Sequence, residues 1–108
     1  MTDSPVFRHD ERRAAQDVVN HLIDLGHRHI AMIAGPDGHI AASARCDGFR
    51  DAMNSAGLGN EPLSIELGDY TMRSGLEAAQ RLFSQSEKPT AIFAANDDMA
   101  VGALTAAP

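Results

Sequence analysis

The chain has 108 residues, 44% of them hydrophobic and 22% charged, which suits one domain with a modest core and argues against disorder. Nine Lys plus Arg against fifteen Asp plus Glu give a formal charge of -6, a balance that argues against a face neutralising nucleic-acid phosphates. The single cysteine, Cys46, excludes an internal disulfide framework and a cysteine-based zinc site.

Taken in order, the chain alternates helices and strands. Residues 10–25 place Ala14, Ala15, Val18, Val19, Leu22 and Ile23 on one stripe, the pattern of an amphipathic helix. Asp10 and Glu11 suit its positive end, and Gly26 is a natural stop. Ile30 to Ala34 is a short continuous apolar run bounded by Gly35-Pro36, which predicts a strand. A second helix is expected from Ala42 to Ala56. Leu63 to Leu67 alternates apolar and polar residues and reads as a strand with one wet face. Ser74 to Gln85 is the third helix, Ala91 to Ala95 a second continuous apolar strand, and Asp97 begins the fourth helix.

Strands alternating with helices imply right-handed crossovers and a parallel sheet. The first and third strands are apolar on both faces, as strands covered by helices on either side should be. The second alternates and belongs at an edge, so the expected order is 2-1-3. That order leaves the third strand as an open edge, although it carries none of the charges or prolines that usually protect one. A partner for it is expected.

Ligands of open parallel sheets bind beyond the carboxyl ends of the strands, at the point where the connections diverge. Three loops lie there: 35–41, 68–71 and 95–98. Arg45 is placed in the first turn of the second helix, where a cation opposes the helix dipole by roughly 0.3–1 kcal/mol; it either serves a ligand or pairs with Asp37 or Asp47. Asn96 is a good helix cap, and Asp97 either suits the first turn or accepts hydrogen bonds from hydroxyl groups. Tyr70, the only tyrosine, offers a stacking face or anchors its loop. His39 is a ligand contact or a solvent-exposed side chain.

His21, His27 and His29 lack metal-ligand spacing and read as structural, and Cys46 reads as small buried filler. Phosphate-loop, dinucleotide and nucleophile-elbow signatures are missing from the sequence, so neither an enzyme nor a cofactor is expected. A membrane span of roughly 20 apolar residues is also missing. The first fifteen residues lack the apolar stretch of a secretory signal, and a cytoplasmic protein is expected.

Four passages resemble the LacI/GalR transcription regulators. Residues 21–31, HLIDLGHRHIA, are similar to that family's helix-to-strand passage. Gly35-Pro36 followed by Arg45 and Gly48-Phe49 resembles its "GP…R..GF" segment, and Gly68-Asp69-Tyr70 with Gly75 its "GDY…G" passage. Residues 89–97, PTAIFAAND, with Met99-Ala100 and Gly102-Ala103-Leu104, match a fourth. The resemblance implies a three-layer, periplasmic-binding-protein-like α/β lobe, incomplete here. Residues 1–108 would form part of an effector (sugar)-binding domain, mostly its C-terminal lobe, without a helix-turn-helix.

The same resemblance implies effector contacts from Asp37, His39, Arg45, Tyr70, Asn96 and Asp97. The expected partner is a small sugar-like or nucleobase-like effector, with DNA reached only through a helix-turn-helix outside this chain and a homodimer open. Two rival readings are a stand-alone module pairing through its open strand edge and a relative of solute-binding proteins.

Overall fold

The computed structural model describes residues 5–36, 38–60 and 63–107, with side chains from residue 9 onward. Its elements are α1 (Pro5–Asp24), β1 (Ile30–Ala34), α2 (Ile40–Ser55), β2 (Ile65–Leu67), α3 (Met72–Phe83), β3 (Ala91–Ala94) and α4 (Asp97–Ala106). Four starts differ from expectation: β2 begins at Ile65 rather than Leu63, α3 at Met72 rather than Ser74, and α1 and α2 also begin early. α1 begins five residues earlier, at a proline whose missing N–H costs nothing in a first turn. α2 begins at Ile40, so Arg45 lies in its second turn and the dipole argument for it does not hold.

The three strands form a parallel sheet in the order β2-β1-β3. Met32 stands beside Ile65 on one side and Phe93 on the other. All five β1 residues are buried, as a central strand covered on both faces requires. β3 differs: its four residues are only half-buried, because one side of the strand is uncovered.

Two helix pairs cover the sheet. α1 packs on α2, and α3 packs on α4. Both pairings depend on close backbone approach. A methyl group on Gly48 would collide with the Arg12 carbonyl of α1, and one on Gly75 with the backbone of Met99 in α4. Successive β3 residues show that the pairs lie on opposite faces. Ile92 and Ala94 share a hollow with α4 side chains, whereas Phe93 and Ala95 share one with α1.

The core is centred on Ile30, Met32 and Ile33 of β1, with Val19, Phe49, Leu82 and Met99 closing over it. Each such side chain contributes roughly 1.5–3 kcal/mol by burial. At the opposite end from the candidate loops, His27 is hydrogen-bonded through Nδ1 to the Thr90 hydroxyl at 2.9 Å, and His29 through Nε2 to the Ser64 hydroxyl at 3.3 Å. The two imidazoles therefore tie β1 to different neighbours.

Candidate functional site

α2 leaves β1 on the α1 face of the sheet and α4 leaves β3 on the other, so the connections diverge between the carboxyl ends of these strands. This is the crevice where open parallel sheets hold ligands.

The β2–α3 loop is built from its own polar groups. Asp69 accepts from both the N–H and the hydroxyl of Thr71, and Thr71 in turn caps α3 by accepting from the Ser74 N–H at 3.1 Å. These bonds, chiefly those from the Thr71 and Ser74 side chains, hold the Asp69 carboxyl below the usual carboxylate range. Between them Tyr70 takes φ +73°, the only left-handed non-glycine among the described residues, a conformation that costs a non-glycine residue roughly 1–2 kcal/mol.

Tyr70 is kept there by two neighbours. Its ring lies over Gly35, where a Cβ would approach to 2.6 Å, so a larger residue there would displace the ring. Its carbonyl accepts from the Asn96 side-chain amide at 3.0 Å. His39 occupies the N-cap position of α2 without capping it; its ring instead meets Tyr70 edge-on, with centroids 5.7 Å apart. A hollow of about 190 Å³ follows along Gly35, Pro36, Gly38, His39, Ser43 and Cys46.

Arg45 is half-buried and points across the switch point. Its Nη1 donates to the Ala95 carbonyl at 2.8 Å, and its Nε donates to Glu11 Oε2 at 3.0 Å. Among the described residues its ion-pair partner is Glu11 of α1 rather than Asp47. Asn96 caps α4 through its side-chain oxygen, which accepts from the Met99 N–H at 2.9 Å. Asp97 is exposed in the first turn of α4. Asp37 lies outside the described residues.

Four of the six candidates thus form one connected group. Tyr70 contacts His39 and Asn96, and Arg45 holds the carbonyl of Ala95, the residue before Asn96. Two contributors were missed from sequence. Glu11 continues the stripe of Ala15 and Val19 at four-residue spacing, so the helical period pointed it inward. Gly35 read as a strand stop opening a candidate loop, with no contact to Tyr70 foreseen, whereas it is the floor under Tyr70. The group offers aromatic faces, hydroxyl and amide donors, and a guanidinium whose charge Glu11 already offsets. Its hollow is smaller than the roughly 300–1,000 Å³ of a small-molecule pocket.

Among the described residues, no helix is long and apolar enough to cross a membrane. The comparisons with known proteins agree with each other. The chain is 41% identical over 96 residues to catabolite control protein A of Priestia megaterium, an alignment covering 88% of this chain and 29% of that protein. It is 38% identical over 103 residues to the HTH-type transcriptional repressor CytR of Escherichia coli strain K12, covering 95% and 30%. Among solved structures, the transcriptional regulator CelR–cellobiose complex superposes with a TM-score of 0.85 at 35% identity, covering 90% of this chain and 30% of that one. The chain spans about three tenths of the length of these relatives. The family model described as periplasmic binding proteins and sugar binding domain of LacI family matches residues 2–108, and the chain belongs to that family.

Proposed function

We propose that residues 1–108 are part of the effector-binding domain of a LacI-type transcriptional regulator, mostly its C-terminal lobe. The observation that carries this is the convergence of His39, Tyr70, Asn96 and Arg45 at the switch point of a lobe that the family model matches over residues 2–108. The ligand is a small sugar-like or nucleobase-like molecule. Tyr70 and His39 present ring faces and edges to it, while Arg45, Asn96 and Asp97 hydrogen-bond its polar groups. Asp37 belongs to the same set on the family resemblance.

The mechanism is binding and needs no chemical step. An effector that contacts this lobe and a second one more favourably when they are closed shifts the intact protein between DNA-bound and free forms. A cytoplasmic location and a helix-turn-helix elsewhere in the intact protein belong to this reading.

One wall binds weakly, so the test is an NMR titration of the chain with cellobiose, ribose and a nucleoside at millimolar concentrations. Saturable shifts at His39, Tyr70, Asn96 and Asp97 for one of them are expected. Shifts that do not saturate, or that cluster at the opposite end of the sheet, would overturn the reading.

A further inference from the structure

We propose that Glu11 makes this crevice selective for uncharged ligands. The effector is then a neutral sugar or nucleoside, rather than a sugar phosphate, a sugar acid or a nucleotide. The inference rests on the effector reading of the crevice and narrows its ligand class by charge.

The first support is the distribution of charge at the carboxyl ends of the strands. The described residues of loops 35–41, 68–71 and 95–98 include no Lys or Arg, whereas Asp69, Asp97 and Asp98 are carboxylates. Neighbouring cations are engaged elsewhere. Arg12 pairs with Asp51, and with Arg13 it lines a hollow separate from the one that holds Glu11 and Arg45. Arg73 pairs with Glu77 one turn along α3 at 3.7 Å. Among the described residues, Arg45 is thus the cation left to receive an anionic group.

The second is how Arg45 is held. Its Nε donates to Glu11 Oε2 at 3.0 Å and its Nη1 to the Ala95 carbonyl at 2.8 Å. A guanidinium carries five N–H groups, so others remain for a ligand. An anion that approaches them also approaches the Glu11 carboxylate, and like charges brought together disfavour binding. A hydroxyl or carbonyl oxygen meets no such repulsion. It accepts from the guanidinium, and a hydroxyl can in addition donate to Asp97.

The third concerns the helix ends. The amino ends of α2, α3 and α4 follow the three strands into the crevice, and such ends ordinarily attract anions. Asp97 and Asp98 in the first turn of α4 already offset its positive end. Thr71 caps α3 with its own hydroxyl, and Asp69 stands just before it. Of the three, α2 alone has neither an acidic first turn nor a side-chain cap. An anion drawn to a helix end rather than to Arg45 would settle there.

NMR titration of the 108-residue chain with inorganic phosphate at constant ionic strength tests the role of Glu11, with circular dichroism confirming the fold of each variant. The Arg45 Nε–H resonance and the amides of residues 40–42 report the two places that attract anions. Glu11→Gln keeps the size and an acceptor oxygen but removes the charge, whereas Glu11→Ala removes both. Phosphate should bind Glu11→Gln at Arg45 about fivefold more tightly than the wild type, and adding Arg45→Met should abolish the gain. Affinities of wild type and Glu11→Gln within about twofold of each other would overturn the proposal. Saturable binding of phosphate by the wild type at residues 40–42 would overturn it as well. So would a gain in Glu11→Ala that Glu11→Gln does not share, since Glu11 would then act through its position and not its charge. The effector reading fails separately, if cellobiose, ribose and a nucleoside all leave the chain unshifted; the phosphate comparison still decides whether Glu11 excludes anions.

Discussion

Asn96 and Tyr70 are joined through a single side chain. The Asn96 amide nitrogen donates to the Tyr70 carbonyl at 3.0 Å, and its oxygen caps α4 through the Met99 N–H at 2.9 Å. One residue thereby fixes the start of a helix and holds the neighbouring loop in a left-handed turn. Loops from two different strands are thereby joined at the switch point. This gives Asn96 a positioning role beside any direct contact with a ligand.

The two roles of Asn96 can be separated by substitution. Aspartate caps a helix about as well as asparagine, yet it lacks the amide donor and sets a carboxylate against the Tyr70 carbonyl. Asn96→Asp should therefore alter the loop while changing unfolding free energy by less than about 1 kcal/mol. Asn96→Ala removes both bonds and should cost about 2 kcal/mol. With one tyrosine and no tryptophan in the chain, Tyr70 emission reports the loop directly, and urea unfolding reports the rest. Unchanged emission in Asn96→Asp would show that the amide bond does not set the Tyr70 environment.

What the sequence revealed was governed by local patterns. β1 and β2 were legible because continuous and alternating apolar runs encode central and edge positions, and those patterns gave the strand order. Asn96 was legible as a cap for the same reason. The Arg45 pairing was not, because Glu11 lies 34 residues away and nearby Asp47 looked equally suitable. The left-handed turn at Tyr70 was also hidden: tyrosine carries no preference for it, and the stabilising contacts come from Gly35 and Asn96, on two other loops. The early start of α1 escaped because residues 8–13 are all polar and separate Val6-Phe7 from the apolar stripe that begins at Ala14.

The strain at Tyr70 predicts opposite outcomes for fold and site. Tyr70→Gly removes the ring but also relieves a conformational cost of roughly 1–2 kcal/mol, so its net stability change should stay within about 1 kcal/mol. Gly35→Ala keeps the tyrosine but drives a methyl group into its ring, and should cost about 1–3 kcal/mol by overpacking. On the proposed effector reading, both variants should lose the ligand-induced NMR shifts at His39 and Asn96. A Gly35→Ala protein with unchanged stability and Tyr70 emission would show that the ring does not rest on Gly35.

The Glu11–Arg45 pair spans α1 and α2, with both side chains 25% exposed. At that exposure solvent and salt screen the attraction, so the coupling in a double-mutant cycle with Glu11→Gln and Arg45→Met should be about 1 kcal/mol or less. Arg45→Met should cost more than Glu11→Gln, since it also abandons the Ala95 carbonyl. Equal losses from the two single variants would remove the Ala95 contact from the account of the site.

Acid should loosen two places before the rest of the fold. Hydrogen bonds from the Thr71 and Ser74 side chains lower the Asp69 carboxyl, and the hydrogen bond from Arg12 lowers that of Asp51 although partial burial opposes it. A depressed folded-state value means the stabilisation is complete above the unfolded value of about 3.9 and disappears as pH falls through the folded value. Between pH 5 and 7 stability should thus be insensitive to these groups, and below about pH 4 it should decline. The two sites have different readouts. Loss at Asp69 frees the Thr71 cap and the Tyr70 loop, so Tyr70 emission should shift with acid, and Asp69→Asn should flatten that shift. Loss at Asp51 releases Arg12 and Gln16 and weakens the α1–α2 contact, so Asp51→Asn should flatten the acid decline in helical circular dichroism while leaving the Tyr70 titration intact. If Asp51→Asn abolished the Tyr70 shift instead, the two carboxylates would be linked by a global acid transition, and the local hydrogen bonds at Asp69 would not be its cause.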